Sequence, residues 1–183
     1  MLYMKITHYS FICCFVAACS AAEPPKTSAH NESVECELSF HELDSCGYQS
    51  KDREIKVQIK TAVIEEDELG LMSLSVENNC KKFVLNISPD TTLLDGDIGF
   101  ISFADINFDS TADLAITTSF GVANLYFDYW VYQPEKAEYV YIGNLPKLTL
   151  DPATKTVTTK IKLNAASYEE NILIWKDGAL IKQ

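Results

Sequence analysis

Gly99-Phe100-Ile101-Ser102-Phe103, then Asp105-Ile106-Asn107-Phe108-Asp109-Ser110-Thr111-Ala112-Asp113, then Leu114-Ala115-Ile116-Thr117-Thr118 reads as strand, acidic loop, strand. Both flanks are short and rich in β-branched and aromatic residues, which suits strands better than helices. The loop sets oxygen-bearing side chains at its first, third, fifth and ninth positions. Calcium takes about six to eight oxygens at roughly 2.3 to 2.6 Å, and alternate acidic or amide residues in a tight loop can turn theirs inward. Asp105, Asn107, Asp109 and Asp113 would supply side-chain oxygens, and Thr111 its backbone carbonyl. An EF-hand is excluded: Ile116 holds the place of its twelfth-position Glu, and Ser110 that of its Gly. The competing reading is a solvated acidic turn, since Asp and Asn are turn formers in their own right.

Outward from this loop the chain alternates apolar and polar residues with a period of two. Glu54 to Lys60 puts Ile55, Val57 and Ile59 on one face and charges on the other, as a half-buried antiparallel strand requires. Leu71 to Val76 and Lys82 to Ile87 flank a turn at residues 77–81, and Tyr126 to Tyr132 and Tyr139 to Ile142 flank another at 133–138. Leu148 to Leu150, Thr156 to Leu163, and a pair at 171–175 and 179–181 joined through Asp177-Gly178 complete the series, Asp-Gly being a strong hairpin signal. The expectation is an all-β antiparallel meander forming a sandwich, barrel or propeller-like domain with one calcium loop. Two short helical turns are predicted, at residues 39–43 and 144–147.

The N-terminus reads as an export signal. Lys5 gives a basic start, Phe11 to Ala18 form a short apolar core, and Val16-Ala17-Ala18-Cys19 matches a bacterial lipobox. The apolar run is far below the about 20 residues that span a bilayer. Residues 1–18 are therefore expected to be removed and Cys19 lipidated; simple secretory cleavage after Ala22 is the alternative. Ser20 beside Cys19 is not the Asp that favours inner-membrane retention, so a periplasmic domain anchored to the outer membrane is expected. Residues 19–33 are polar and Pro-containing, a disordered tether, and 34–183 has the size of one β domain.

Cys36, Cys46 and Cys80 remain after processing, allowing one disulfide in an oxidising compartment. Cys36 with Cys46 is the most local pairing, and either could instead pair with Cys80. Zinc is disfavoured, because no Cys-x-x-Cys occurs and the mature histidines are His30 and His41 alone. Without Lys5 the mature chain keeps 14 basic residues against 26 acidic ones, a formal charge of −12. Such a surface repels nucleic acid and attracts cationic partners, unless it serves solubility alone.

One order of pieces is recognisable: Asp-Ile-Asn-Phe-Asp at 105–109 with Asp113-Leu114, then Gly121 and Asn124, then Tyr126-Phe127-Asp128-Tyr129-Trp130-Val131-Tyr132, then Tyr139-Val140, and a closing Trp175-Lys176-Asp177-Gly178-Ala179-Leu180. It resembles the immunity lipoproteins that accompany bacteria-killing type IV secretion effectors, which are similar in fold to periplasmic lysozyme inhibitors. The likeness covers roughly residues 99–181, and the acidic loop alone is shared with integrin-like propeller repeats. The resemblance implies a calcium-carrying, membrane-tethered β domain that blocks a peptidoglycan-cleaving, lysozyme-like enzyme. Such enzymes are often cationic, so an acidic inhibitor would be steered to them. Ser110 departs from the Gly usual in such loops and must accept a tight backbone conformation.

Ser119, Phe120, Gly121 and Asn124 are candidates for a loop inserted into the target, with Tyr126 beneath; an ordinary turn is the competing reading. Trp130 is expected in the core rather than as a sugar platform. Enzymatic activity is not expected: a nucleophilic triad would rest on His41 alone, and the acids of 65–68 and 169–170 read as solvated turns. A calcium-stabilised envelope scaffold without an enzyme target is the alternative function.

Overall fold

The computed structural model describes residues 33–42, 45–120 and 123–183. Residues 1–18, expected to be a signal segment, Cys19, all but the last residue of the expected tether at 19–33, and Gly121 lie outside the described residues. Every strand pairing is antiparallel, and no helix occurs among the described residues. The central sheet runs in the order β1 (Val34–Ser39), β7 (Ile98–Ala104), β8 (Asp113–Thr117), β9 (Tyr126–Gln133), β10 (Glu138–Pro146). A front sheet runs β2 (Cys46–Gln49), β3 (Glu54–Glu65), β4 (Glu68–Asn78), β5 (Lys81–Asn86), with β6 (Thr92–Leu94) also paired to β4. A back sheet runs β11 (Leu148–Asp151), β12 (Thr156–Lys162), β13 (Tyr168–Lys176), β14 (Ala179–Lys182). The sheets are open and stacked sandwich-like, so the closed-barrel alternative is not the architecture.

Two apolar layers explain the stacking. The larger joins front and central sheets through Ile55, Val57, Leu74 and Val76 on one side and Ile101, Phe103, Leu114 and Trp130 on the other. The smaller lies on the opposite face of the central sheet, where Ile106, Ala115, Phe127 and Tyr129 meet Leu148, Leu150 and Trp175. With both faces covered, β8 is buried at all five positions. This is why the period of two fades in Leu114-Ala115-Ile116 and in the aromatic strand, while it holds in β3, whose outer face is wet. Trp130 is buried, as expected.

Cys36 pairs with Cys46, stitching the edge of the central sheet to the edge of the front sheet across a sequence separation of 10. Closing so short a loop stabilises the fold by about 3 kcal/mol in the chain-entropy picture. Cys80 is left free and exposed. It shares the β4–β5 turn with Asn79, at φ 67° and 45° respectively. Two left-handed residues make the turn that prefers Asn-Gly, and Cys80 bears the Cβ that Gly lacks. Cys80→Gly is therefore expected to raise stability by about 1 kcal/mol, read as a higher urea midpoint with unchanged slope.

No helix forms over 144–147, nor over 39–42, the described part of the first predicted turn. After Ser39 the chain closes on itself through Ser39 N–H to Glu42 O and Glu42 N–H to Ser39 O, at 3.1 and 3.2 Å. Asn144 to Pro146 complete β10, where Asn144 is opposite Asp128 and Pro146 opposite Tyr126. β10 is an edge strand, so a missing Pro N–H costs no ladder bond. Glu169 and Glu170 stand in β13 rather than in a turn, on solvent-facing positions that strand geometry tolerates.

Candidate functional site: an acidic loop clamped by three sheets

The loop between β7 and β8 folds around its own oxygens. The two carboxylate oxygens of Asp105 accept the N–H groups of Asp109 and Ser110 at 2.9 and 2.8 Å. Asn107 Oδ1 also accepts from Asp109 N–H at 3.2 Å, and its Nδ2 donates to Asp109 Oδ2 at 2.8 Å. Asp109 Oδ1 accepts from Thr111 N–H at 2.8 Å. Ser110 takes the required left-handed conformation at φ 69°, and Phe108 does so at 60°. Asp105, Asn107 and Asp109 are thus brought together on one turn.

Asp113 has a different position. It is fully buried, with Oδ2 accepting Ile106 N–H and Oδ1 accepting Tyr132 N–H, both at 2.9 Å. One oxygen holds the loop, and the other holds β9. Burial pushes this carboxyl up to about 8, against the pull of those two N–H groups and with added repulsion from Asp109 and Asp105. Burial also raises Asp105, against its own backbone donors.

Each sheet contributes a clamp. From the front sheet, Arg53 donates through Nη1 to Ala112 O at 2.8 Å, through Nε to Asn78 Oδ1 at 3.0 Å and through Nη2 to Tyr139 Oη at 3.3 Å. Its guanidinium lies 4.1 Å from the Tyr132 ring centroid. From the central sheet comes Tyr132 N–H; from the back sheet, Trp175 Nε1–H donates to Ile106 O at 2.5 Å. Arg53 was not among the sequence candidates. Its only signal is a lone Arg preceding a strand, and its five donors become meaningful only when three distant acceptors converge. Asp128 was also missed, although an acid inside an aromatic strand is conspicuous. It is buried and accepts from Ser88 N–H, Ser88 Oγ, Tyr141 Oη and Asn144 Nδ2.

The donor set suits calcium in chemistry: it is all oxygen, and an oxygen that accepts one N–H keeps a second lone-pair site. A divalent cation beside Asp105, Asp109 and Asp113 would favour their ionised forms against burial and mutual repulsion. As the loop stands, no three His, Cys, Asp or Glu side chains are arranged to grip a metal among the described residues. Asp105, Asn107 and Asp109 would have to share their oxygens between backbone N–H groups and the ion.

Of the candidate target-binding residues, Ser119, Phe120, Asn124 and Tyr126 lie towards the other end of β8. Phe120 is half-buried against the main core, so close above Gly99 that a Cβ there would sit 2.3 Å from its ring. Asn124 pairs with the backbone of Lys162, accepting its N–H at 2.7 Å and donating to its carbonyl at 3.1 Å. Tyr126 opens β9, half-buried, and its carbonyl accepts Thr118 N–H at 2.9 Å. Five strand residues separate these groups from the acidic loop, about 15 Å of chain, so a cation in the loop could reach their base only through β8.

His41 is exposed, 3.2 Å from Asp95 Oδ1. Two phenols, Tyr129 buried and Tyr139 half-buried, give a pH signature: burial raises Tyr129, and pushes Tyr139 up to about 12 against the charge of Arg53. In the unfolded chain a phenol ionises near 10. Stability from these groups is therefore whole below pH 10 and lost as pH rises towards 12. Absorbance at 295 nm should show the last tyrosines ionising only as the near-ultraviolet circular dichroism collapses. No protein-family profile matches the chain, and neither curated proteins nor solved structures give a match.

Proposed function

We propose that this chain is an envelope lipoprotein, anchored through acylated Cys19 on the periplasmic side of the outer membrane, that binds and inhibits a cationic, lysozyme-like peptidoglycan hydrolase as an immunity protein. The observation that carries this reading is charge placement. From Phe83 to Glu135 the chain has no Lys or Arg, while besides the buried Asp113 and Asp128 it carries Asp90, Asp95, Asp97, Asp105, Asp109 and Glu135. That stretch supplies β6 to β9 and the loops at both ends of the stack. An excess of one sign steers an oppositely charged partner and speeds association at low salt. The resemblance noted in the sequence names a target class of that charge.

Within this reading calcium is structural, held by Asp105, Asn107, Asp109, the Thr111 carbonyl and Asp113. The cation neutralises the loop's carboxylates and locks the point where the three sheets meet. Ser119, Phe120, Gly121 and Asn124, with Tyr126 beneath them, belong to the target-facing surface. The test is lysis of peptidoglycan, followed as turbidity, by a panel of basic lysozyme-type hydrolases with the lipid-free mature chain added. Stoichiometric inhibition of one member is expected, weakening as salt rises; no inhibition of any member overturns the reading. For calcium, saturation at about 100 times Kd should add about 2.7 kcal/mol and raise Tm by several degrees. Asp105→Ala with Asp109→Ala should abolish that rise, and a wild-type Tm indifferent to calcium overturns the metal assignment.

A further inference from the structure

The end of the stack opposite the acidic loop is built from three segments distant in sequence. The β3–β4 hairpin turns at Glu66 and Asp67, and Asp95 N–H donates to Asp67 O at 3.0 Å, tying that turn to the one after β6. Two residues beyond the second turn, Gly99 receives the ring of Phe120. The hairpin tip, the 95–98 turn and the start of the 118–124 segment therefore share one end of the molecule.

This end is apolar and acidic together. Val63 is 78% exposed, Ile64 53%, Ile98 52% and Leu94 46%. Ile64 lies across Gly70, 3.2 Å from where a Cβ would stand, and Leu94 is opposite Glu68 on β4. Leu93 is fully buried, so Leu94 and its partner Glu68 point outward, on the face to which Gly70 opens. Glu65, Glu66, Asp67 and Asp95 line one cleft here, and Asp97 Oδ2 accepts Leu94 N–H at 3.1 Å. Residues 61–80, like 83–135, contain no Lys or Arg. The basic group recorded here is the His41 imidazole, against Asp95.

Apolar side chains left in water at strand ends mark a contact surface when they cluster within a polar rim. A second copy of this chain would bring the same carboxylates and be repelled, whereas a cationic protein is attracted to the rim and covers the apolar centre. We propose that this end, centred on Ile64 and Leu94 and rimmed by the acids of the two turns, is the surface that docks the cationic hydrolase. The inference rests on the inhibitor reading above and assigns it a place. The rim sets the rate of association and its salt dependence; the apolar centre and Phe120 set the lifetime of the complex.

The experiment takes the enzyme that the wild-type chain inhibits in the turbidity assay and compares three variants, each checked for wild-type circular dichroism and Tm. Glu66→Lys with Asp67→Lys should weaken inhibition about ten-fold or more and flatten its salt dependence. Ile64→Ser with Leu94→Ser should weaken it about ten-fold with the salt dependence retained. Glu169→Lys with Glu170→Lys, an equal change of net charge on the back sheet, should alter it less than about two-fold. Wild-type inhibition that survives both changes at this end, or that falls equally with the back-sheet change, overturns the assignment while leaving the inhibitor reading intact. Absence of inhibition by the wild type overturns that reading, and this surface with it.

Discussion

Asp113→Ala is expected to lower folding stability by about 3 kcal/mol. The carboxylate ties two elements distant in sequence, accepting Ile106 N–H in the loop and Tyr132 N–H in β9 at 2.9 Å each. Removing it strands the buried Ile106 N–H and the part-buried Tyr132 N–H, a lost buried donor being worth about 1–3 kcal/mol, while relieving part of the carboxyl's own desolvation. The donors win, because there are two of them and the Ile106 N–H is buried away from water. Asn is expected to do no better: it keeps one acceptor and turns an NH2 group towards the other donor. Urea midpoints measure the loss, and amide exchange at Ile106 and Tyr132 should accelerate well beyond the global change. Unchanged exchange there would mean that Asp113 is not the clamp.

Arg53→Met is expected to cost a similar amount, about 3 kcal/mol. Asn78 Oδ1 and Ala112 O lose the guanidinium's N–H groups, Tyr139 Oη keeps only the Asn78 Nδ2 donor at 3.2 Å, and the Tyr132 ring loses its cation. Hydrogen bonds from a charged donor contribute about 1.5–3 kcal/mol each, but Arg53 is only half-buried and water can replace part of them. Arg53→Lys separates geometry from charge. An ammonium keeps the positive charge yet cannot present a planar fork to acceptors on three elements, so Lys should recover less than half of the loss. Full recovery by Lys would show that charge near Tyr132, rather than the fork, is what matters.

Legibility in the sequence followed the range of the interactions involved. β3 was readable because alternation in Ile55, Val57 and Ile59 reports one wet and one buried face, a property of neighbouring residues alone. The Asp177-Gly178 turn was readable because its backbone requirement, φ 51° and 81°, is local. Residues 144–147 were misjudged for the opposite reason. Nothing local shows that Asn144 will donate to Asp128 and Thr118, bonds that hold the segment flat in β10. The acidic loop was half legible: its spacing showed that Asp105, Asn107 and Asp109 would share a turn. That Asp113 faces inward to β9 depends on which strand lies beside β8.

The sequence by itself determined an all-β chain of short antiparallel strands with an oxygen-rich loop between two of them, because period, turn chemistry and side-chain type act over a few residues. Only the tertiary structure decided that three sheets converge on that loop, that Arg53 and Trp175 hold it, and that Cys36 rather than Cys80 bonds Cys46. It also set the exposed apolar hairpin end and Phe120 together, a whole strand away from the acidic loop. Those outcomes depend on which distant surfaces bury one another, and a sheet's pairing order sets that, not any stretch of its sequence.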